Sequence, residues 1–360
     1  MEKYRVFDRF IQFETQYDGY LLARRDKRYK PEVLAYSAHL EDNLIDGINH
    51  LIWKDYAISG VHEFYEYFPK KRIITAWPFK NRVVNCAAYK VLWPIYRRSM
   101  YEHSYGSIPG RGTIMACDQL QKWMKRSRWT GKNQWLAKAD VAKFFFRIPH
   151  EVQLRELGKP LDDPDMMWFL KTCIEGDGRP TGLPLDCGDP SEAERIMGIG
   201  MPVGSLISQM TANVVMNPAD HFMKRVVRIP EYARYMDDMV MKGESKQQMW
   251  DAIGMLDDFL QTNMGLQLNN KTCVMRYDEG VEFVGRIITP ERIDLRKSSS
   301  LQMKRHLDYV REAYGKGEVP LEYAQDVIQS YLGLLKHTDS KALREKICED
   351  FVLIRHSAPE

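Results

Sequence analysis

Several informative features are missing from this chain. Its six cysteines (Cys86, Cys117, Cys173, Cys187, Cys273 and Cys348) never come within ten residues of one another. A zinc ribbon or redox pair needs close spacing such as C-x-x-C, so neither is encoded. No run of about 18 apolar residues exists, which argues against a membrane-spanning helix. The opening MEKYRVFDRF lacks the apolar stretch of a signal peptide. Reduced thiols in a cytoplasmic protein are therefore expected. Internal repeats and low-complexity tracts are absent. Net charge is small as well: 52 Lys+Arg against 49 Asp+Glu leave +3 over 360 residues. Taken as one number, that balance argues against a nucleic-acid protein. Hydrophobic residues make up 44 %, which excludes disorder as the main state and permits two or three lobes.

The charge is unevenly placed. Residues 70–138 hold 15 Lys+Arg and two acids, Glu102 and Asp118. Residues 139–290 hold 16 Lys+Arg and 23 Asp+Glu, and the last 70 residues balance at 12 and 12. In the basic segment the cations alternate with Trp77, Trp93, Tyr96, Tyr101, Tyr105, Trp123, Trp129 and Trp135. That mixture suits phosphate contact with base stacking, and an acidic segment can hold divalent metal. Charge alone favours a pair of solvated faces.

Periodicity predicts helices over residues 1–60 and Asn81 to Tyr96. It predicts a hairpin over 63–76 around Pro69-Lys70-Lys71 and a glycine-bearing loop from Ser104 to Gly112. Gln134 to Phe146 begins as a strand. Residues 206–227 read as a helix with Pro218 a point of kinking. Residues 232–242 read as two short strands around a tight turn, 247–264 as an amphipathic helix and 281–288 as one strand. Helices follow from 300. Residues 158–198, dense in turn signals, read as an insertion.

The chemistry concentrates at Tyr235-Met236-Asp237-Asp238. Two adjacent carboxylates at a turn repel, and the one neighbouring base is Arg234. A divalent cation removes the conflict. Asp140 lies about 97 residues earlier at the end of an apolar strand, followed by Val141. If the strands are adjacent, Asp140 and Asp237 can share two Mg²⁺ ions, which stabilise the attacking and leaving oxygens of in-line phosphoryl transfer. Magnesium takes few carboxylates plus phosphate oxygens, which fits so sparse a set.

These boxes resemble, in order over residues 62–345, the reverse transcriptases of bacterial retroelements. Tyr235-Met236-Asp237-Asp238 is similar to the polymerase Y-x-D-D box, and Asp140-Val141-Ala142-Lys143-Phe144-Phe145 to the first catalytic Asp box. The resemblance implies catalysis by Asp140, Asp237 and Asp238, with metal held at Asp140, Val141, Asp237 and Asp238. It puts Phe144 and Phe145 beside the incoming dNTP, with Phe145 excluding a ribose 2′-OH. Ser104 to Gly112 resembles the fingers loop S-Y-G-x-x-P-G-R-G and brings Arg111 to nucleic acid. Lys71-Arg72-Ile73 and Phe79-Lys80-Asn81-Arg82 resemble the fingers hairpin and helix. Arg72 and Arg82 are the leading triphosphate ligands, because Arg clamps phosphate oxygens bidentately. Lys71 and Lys80 stay open as alternatives. Gly265 to Thr272 resembles G-L-x-L-N-x-x-K-T with one residue fewer before Lys271, which would contact the dNTP or pyrophosphate, or be a surface lysine at a turn. Phe283-Val284-Gly285-Arg286 resembles the F-L-G-Y primer grip. Tyr235 and Gly285 join the nucleic-acid set on this basis.

One box differs from the common form. Where related enzymes carry Q-G-x-x-x-S-P, this chain has Val203-Gly204-Ser205-Leu206-Ile207-Ser208-Gln209. The V-G-x-x-x-S-Q form resembles reverse transcriptases of diversity-generating retroelements. Those enzymes copy a template-repeat RNA into cDNA with errors at adenines and work with a small basic accessory protein that forms a ring. Val203 cannot hydrogen-bond near the nascent pair, which removes discrimination. Gly204 would let the backbone approach the pair, and Gln209 completes this template-reading set. The alternatives are an antiphage enzyme copying a dedicated non-coding RNA and a non-catalytic RNA-binding scaffold.

The implied architecture is an α+β right-hand polymerase fold. It comprises an N-terminal helical extension (1–62), fingers (63–138), a palm with an antiparallel sheet and some fingers elements (139–290, insertion 158–198) and a helical thumb (291–360). The length leaves no space for an RNase H, maturase or endonuclease domain. Priming and template removal are then expected from the RNA or from partners: template RNA, cDNA, dNTPs and the accessory ring, with no membrane.

Overall fold

The computed structural model describes residues 3–66, 72–187 and 193–355. Pro69-Lys70-Lys71, the expected hairpin tip, lies outside the described residues.

Four helices open the chain: α1 (Phe7–Phe10), α2 (Phe13–Ala23), α3 (Pro31–Ala38) and α4 (Leu40–Ile52). Strands β1 (His62–Glu66) and β2 (Arg72–Ala76) follow and pair antiparallel, Glu66 opposite Arg72. Helix α5 (Phe79–Tyr96) is buried on most sides, because its apolar residues surround the axis rather than one stripe. It carries one core with Phe10, Leu51 and Phe169 and a second with Tyr20, Val33 and Leu44. Helix α6 (Thr113–Thr130) ends at Gly131, whose left-handed φ of 67° closes it.

The central sheet comes next. Strand β3 (Trp135–Asp140) is followed by α7 (Phe144–Arg147), α8 (His150–Gly158), α9 (Pro164–Glu175) and α10 (Leu206–Arg225). Then come β4 (Glu231–Tyr235), β5 (Asp238–Gly243), α11 (Lys246–Met264) and β6 (Cys273–Arg276). The sheet order is β4-β5-β3-β6, and every pairing is antiparallel. Alternation sends Tyr232, Met239 and Met241 to the face covered by α10 and α11. Ala233, Val240 and Leu136 point to the other face, covered by α6. Pro218 sits inside an unbroken α10.

Two expectations change. Residues 158–198 contribute a core helix: Met166, Phe169, Leu170, Cys173 and Ile174 of α9 all face the apolar cluster that α5 also lines. Their i, i+3, i+4, i+7, i+8 spacing carries that helix, and the flanking turn signals masked it. The expected single strand 281–288 is a hairpin, β7 (Val281–Phe283) against β8 (Arg286–Ile288), with β9 (Ile293–Leu295) alongside. Val284 (φ 46°) and Gly285 (φ 78°) both turn left-handed, the requirement of a two-residue primed turn. Helices α12 (Lys297–Gly315), α13 (Leu321–Leu335) and α14 (Lys341–Asp350) pack around their own cluster of Leu295, Met303, Leu307, Leu335 and Ile347. Among the described residues no helix is long and apolar enough to cross a membrane.

Candidate active site

The β4–β5 turn has two residues, Met236 and Asp237, between the paired Tyr235 and Asp238. Across the sheet Asp140 stands directly opposite Asp238. The register therefore brings all three carboxylates together at one end of the sheet. Burial and then the Asp140 charge push Asp237 up to about 7, and an Asp237–Asp140 hydrogen bond adds to the effect. Burial also pushes Asp238 to about 7, and Lys138 pulls it back only in part. Lys138 Nζ lies 3.7 Å from Asp238 Oδ2 and donates to the Glu282 carbonyl at 2.6 Å. It shares the Asp140 face because strand residues two apart point the same way.

The turn is held under strain. Met236 has φ 57°, which costs a non-glycine residue about 1–2 kcal/mol. Three contacts fix it. Arg234 Nη1 donates to the Met236 carbonyl at 2.9 Å. Asn213 Nδ2 of α10 lies 3.6 Å from Met236 Sδ. Gly106 lies against the turn so closely that an added Cβ would stand 2.6 Å from Met236 Cγ and 2.7 Å from its nitrogen. The loop 103–106 runs along β4: Arg234 N donates to His103 O at 3.0 Å, and Tyr105 N to Arg234 O at 2.9 Å.

Arg234 pairs with Asp220 rather than with the aspartates beside it in sequence, although the Asp237 charge reaches it. Alternation turns it with Tyr232 toward α10, where it is fully buried. There Nε and Nη2 each donate to Asp220 at 2.7 Å, and Tyr232 Oη donates to the same carboxylate at 2.9 Å.

Asp140 is positioned by the segment after α11. Asn269 N donates to the Asp140 carbonyl at 2.8 Å, Ala142 N to Gln267 O at 2.9 Å, and Asn269 Nδ2 to Asp140 Oδ2. Asn269 had no assigned role in the sequence. The exposed Lys271 gives its backbone N–H to Asn269 Oδ1 at 2.9 Å, so the direct contact to Asp140 comes from Asn269.

The other expected residues separate. Arg72, at the start of β2, is exposed, and its charge reaches Asp237 and lowers its pKa. Arg82 pairs with Glu32 of α3 and is turned to the N-terminal helices. Phe144 is 2 % exposed in the core beneath the sheet, whereas Phe145 is half-buried with its ring 5.3 Å from Phe144. The Val141 side chain is in the same core, so only its main chain could reach a ligand. Val203 O accepts from Thr75 N of β2 at 2.7 Å, and a Cβ on Gly204 would stand 2.8 Å from Thr75 O. The close approach at Gly204 is thus to β2. Gln209 lies half-buried in the first turn of α10. Arg111 Nη1 donates to Tyr101 O at 2.7 Å and Ser104 O at 2.8 Å, which ties down the loop. Tyr235 is half-buried between the two sheet cores, and Gly285 forms the β7–β8 turn. Lys71 lies outside the described residues. Of the eight aromatics expected to stack on bases, Trp77, Trp93, Tyr96, Tyr101, Tyr105 and Trp123 are buried in the cores.

The donor set fits a divalent cation. Asp238 Oδ1 is buried with no hydrogen bond of normal geometry. Besides burial, the Asp140 charge raises the pKa of Asp237, a like-charge conflict that a cation would relieve. Among the described residues no group of three or more His, Cys, Asp or Glu is arranged to hold a metal ion by itself, so the aspartates supply only part of a coordination shell. An open set of carboxyls, completed by water and phosphate oxygens, is what magnesium takes.

An antiparallel sheet with carboxylates at one end, backed by two helices and followed by a helical lobe, defines a right-hand polymerase fold. The solved structure of apo telomerase from Candida tropicalis resembles the chain with a TM-score of 0.50 at 11 % identity, covering 71 % of this chain and 52 % of that one. Residues 68–288 match the family model described as reverse transcriptase (RNA-dependent DNA polymerase), and the chain belongs to that family. Protein YkfC of Escherichia coli is 20 % identical over 171 residues, 48 % of this chain and 39 % of that protein. The putative COX1/OXI3 intron 1 protein of Saccharomyces cerevisiae is 25 % identical over 154 residues, 42 % of this chain and 16 % of that protein. The matched regions thus span well under half of these relatives. Polymerases of the family generally use divalent metal.

Proposed function

We propose that this chain is an RNA-directed DNA polymerase of the diversity-generating type, which copies a template-repeat RNA into cDNA with frequent errors at adenines. The observation that carries the polymerase reading is the register that sets Asp140 opposite Asp238 with Asp237 at the adjoining turn. Two Mg²⁺ ions held by these carboxylates and the Val141 main chain would supply activation of the primer 3′-hydroxyl and charge neutralisation at the leaving pyrophosphate. Asn269 holds the Asp140 carboxylate in place. Arg72, whose charge is already felt at Asp237, binds the triphosphate. Arg82 is a weaker candidate because Glu32 occupies it. Phe145 closes on the sugar and rejects a 2′-OH. Lys271 stays exposed beside Asn269 and would reach only an incoming phosphate.

The subtype rests on Val203, Gly204 and Gln209. Val203 and Gly204 lie against β2, the strand that carries Arg72, so this segment would border the nascent pair. Residues 63–138 serve as fingers, 139–290 as palm and 291–360 as thumb. Tyr235 and Gly285 approach the primer, and Arg111 supports the fingers loop. The partners are template RNA, cDNA, dNTPs and a small basic accessory protein forming a ring. The test is to sequence the RNA that co-purifies with the chain, together with its cDNA. Random changes opposite template adenines support the reading, and faithful product contradicts the subtype.

A further inference from the structure

Among the eight aromatics interspersed with the basic residues of 70–138, one differs sharply. Trp129 is 87 % exposed, the most exposed large apolar side chain among the described residues. It lies in the last turn of α6. Lys122, Lys125 and Arg126 precede it by seven, four and three positions, so all four share one exposed helix face. Lys132 follows just beyond Gly131. Arg128 pairs with Glu291 at 2.5 Å. Asp118, one turn before Lys122, is the one acid on α6.

The opposite face of α6 is locked. Lys242 of β5 is fully buried, and its Nζ donates to Trp123 O at 2.8 Å, Ser127 Oγ at 2.5 Å and Glu231 Oε2 at 2.9 Å. Rotating α6 would break these bonds and strand a buried cation, so the basic face is held outward. A helix dipole explains a cation in the last turn, Arg128. It explains neither the earlier cations nor an indole left in water beside them. Cations for phosphates and an open ring face for bases are what single-stranded nucleic acid requires.

We propose that the outer face of α6 holds a single-stranded stretch of RNA lying outside the polymerase cleft. The C-terminal end of α6 leads into Trp135, at one end of β3, and Asp140 stands at the other end. Five strand steps separate those ends, about 17 Å. This face and the carboxylates thus lie toward opposite ends of β3, so the proposed ligand is RNA flanking the copied segment. The inference rests on the chain being a polymerase that copies RNA.

The test uses the full chain and two probes, a fluorescent unstructured RNA and a short primer–template pair. Trp129→Ala should weaken binding of the unstructured RNA about tenfold. Replacing Lys122, Lys125 and Arg126 together by Gln should lower the slope of log K against log salt by about 2. Both variants should extend the short primer at the parental rate. Unchanged affinity and slope in both, with a parent that binds RNA and extends primers, overturn the inference and leave this face to a protein partner. A parent that extends no primer on RNA overturns the functional reading on which it rests.

Discussion

The β4–β5 hairpin carries two sets of enclosed charge within five residues, resolved in opposite ways. Arg234 is fully buried, and each of its guanidinium nitrogens has a partner, with Asp220 gripping two of them. Its charge is complete within the protein. At the turn just beyond, Asp237 and Asp238 meet Asp140, and burial with like charge raises both to about 7. Lys138 and Arg72 offset that set only in part, since both pKa values stay raised. A fold keeps a buried charge only if it is paired, which supports the proposal that the second set takes a cation from outside.

Breaking the completed pair should have the largest effect. Arg234→Met leaves Asp220 buried and unpaired and should cost about 3–5 kcal/mol of stability. Arg234→Met with Asp220→Leu should recover much of that loss in the same denaturant titration. Equal losses in the single and double variants would show that the pair is not the structural unit.

The unbalanced set should respond to pH with the opposite logic. An acid whose folded pKa is raised keeps its proton in the folded state after the unfolded chain has released it. Stability of the metal-free chain should therefore be full below the ordinary value of 3.8 and fall as pH rises toward about 7. Mg²⁺ should reverse the fall. Thermal midpoints at pH 5 and pH 8, with chelator and with Mg²⁺, measure both effects. A midpoint insensitive to Mg²⁺ at pH 8 would contradict the claim.

A smaller effect should follow at the turn joining the two sets. Gly106→Ala puts a methyl against Met236 and should cost about 1–3 kcal/mol. Primer extension should fall further than stability, because the Met236–Asp237 turn must shift. Smallest is selectivity at the rim of the carboxylates. Phe145→Ala should raise ribonucleotide incorporation relative to dNTPs about tenfold, and an unchanged sugar preference would remove Phe145 from that role.

What the sequence revealed of the site follows from how local each signal is. Adjacent carboxylates at an apolar turn are conspicuous without a structure, as is the Asp140 strand. Asn269, Lys138 and the Arg234–Asp220 pair were hidden because they depend on register and packing. Asn269 meets Asp140 across 129 positions. Arg234 stood beside the aspartates in sequence and faces away from them in space, since strand alternation sends it toward α10. The β7–β8 turn disappeared within an apolar run because Val284 adopts a conformation that valine seldom takes. The aromatics of 70–138 matched a stacking pattern, but burial assigns six of the eight to the cores.

The central claim is that Asp140, Asp237 and Asp238 form one metal-dependent centre for copying RNA. Primer extension on an RNA template with Mg²⁺ and dNTPs, run on the parent and on folded Asp237→Ala, tests it most directly. The parent should extend the primer, and the variant should lose roughly a thousandfold or more of that activity. Equal extension by the two would contradict it.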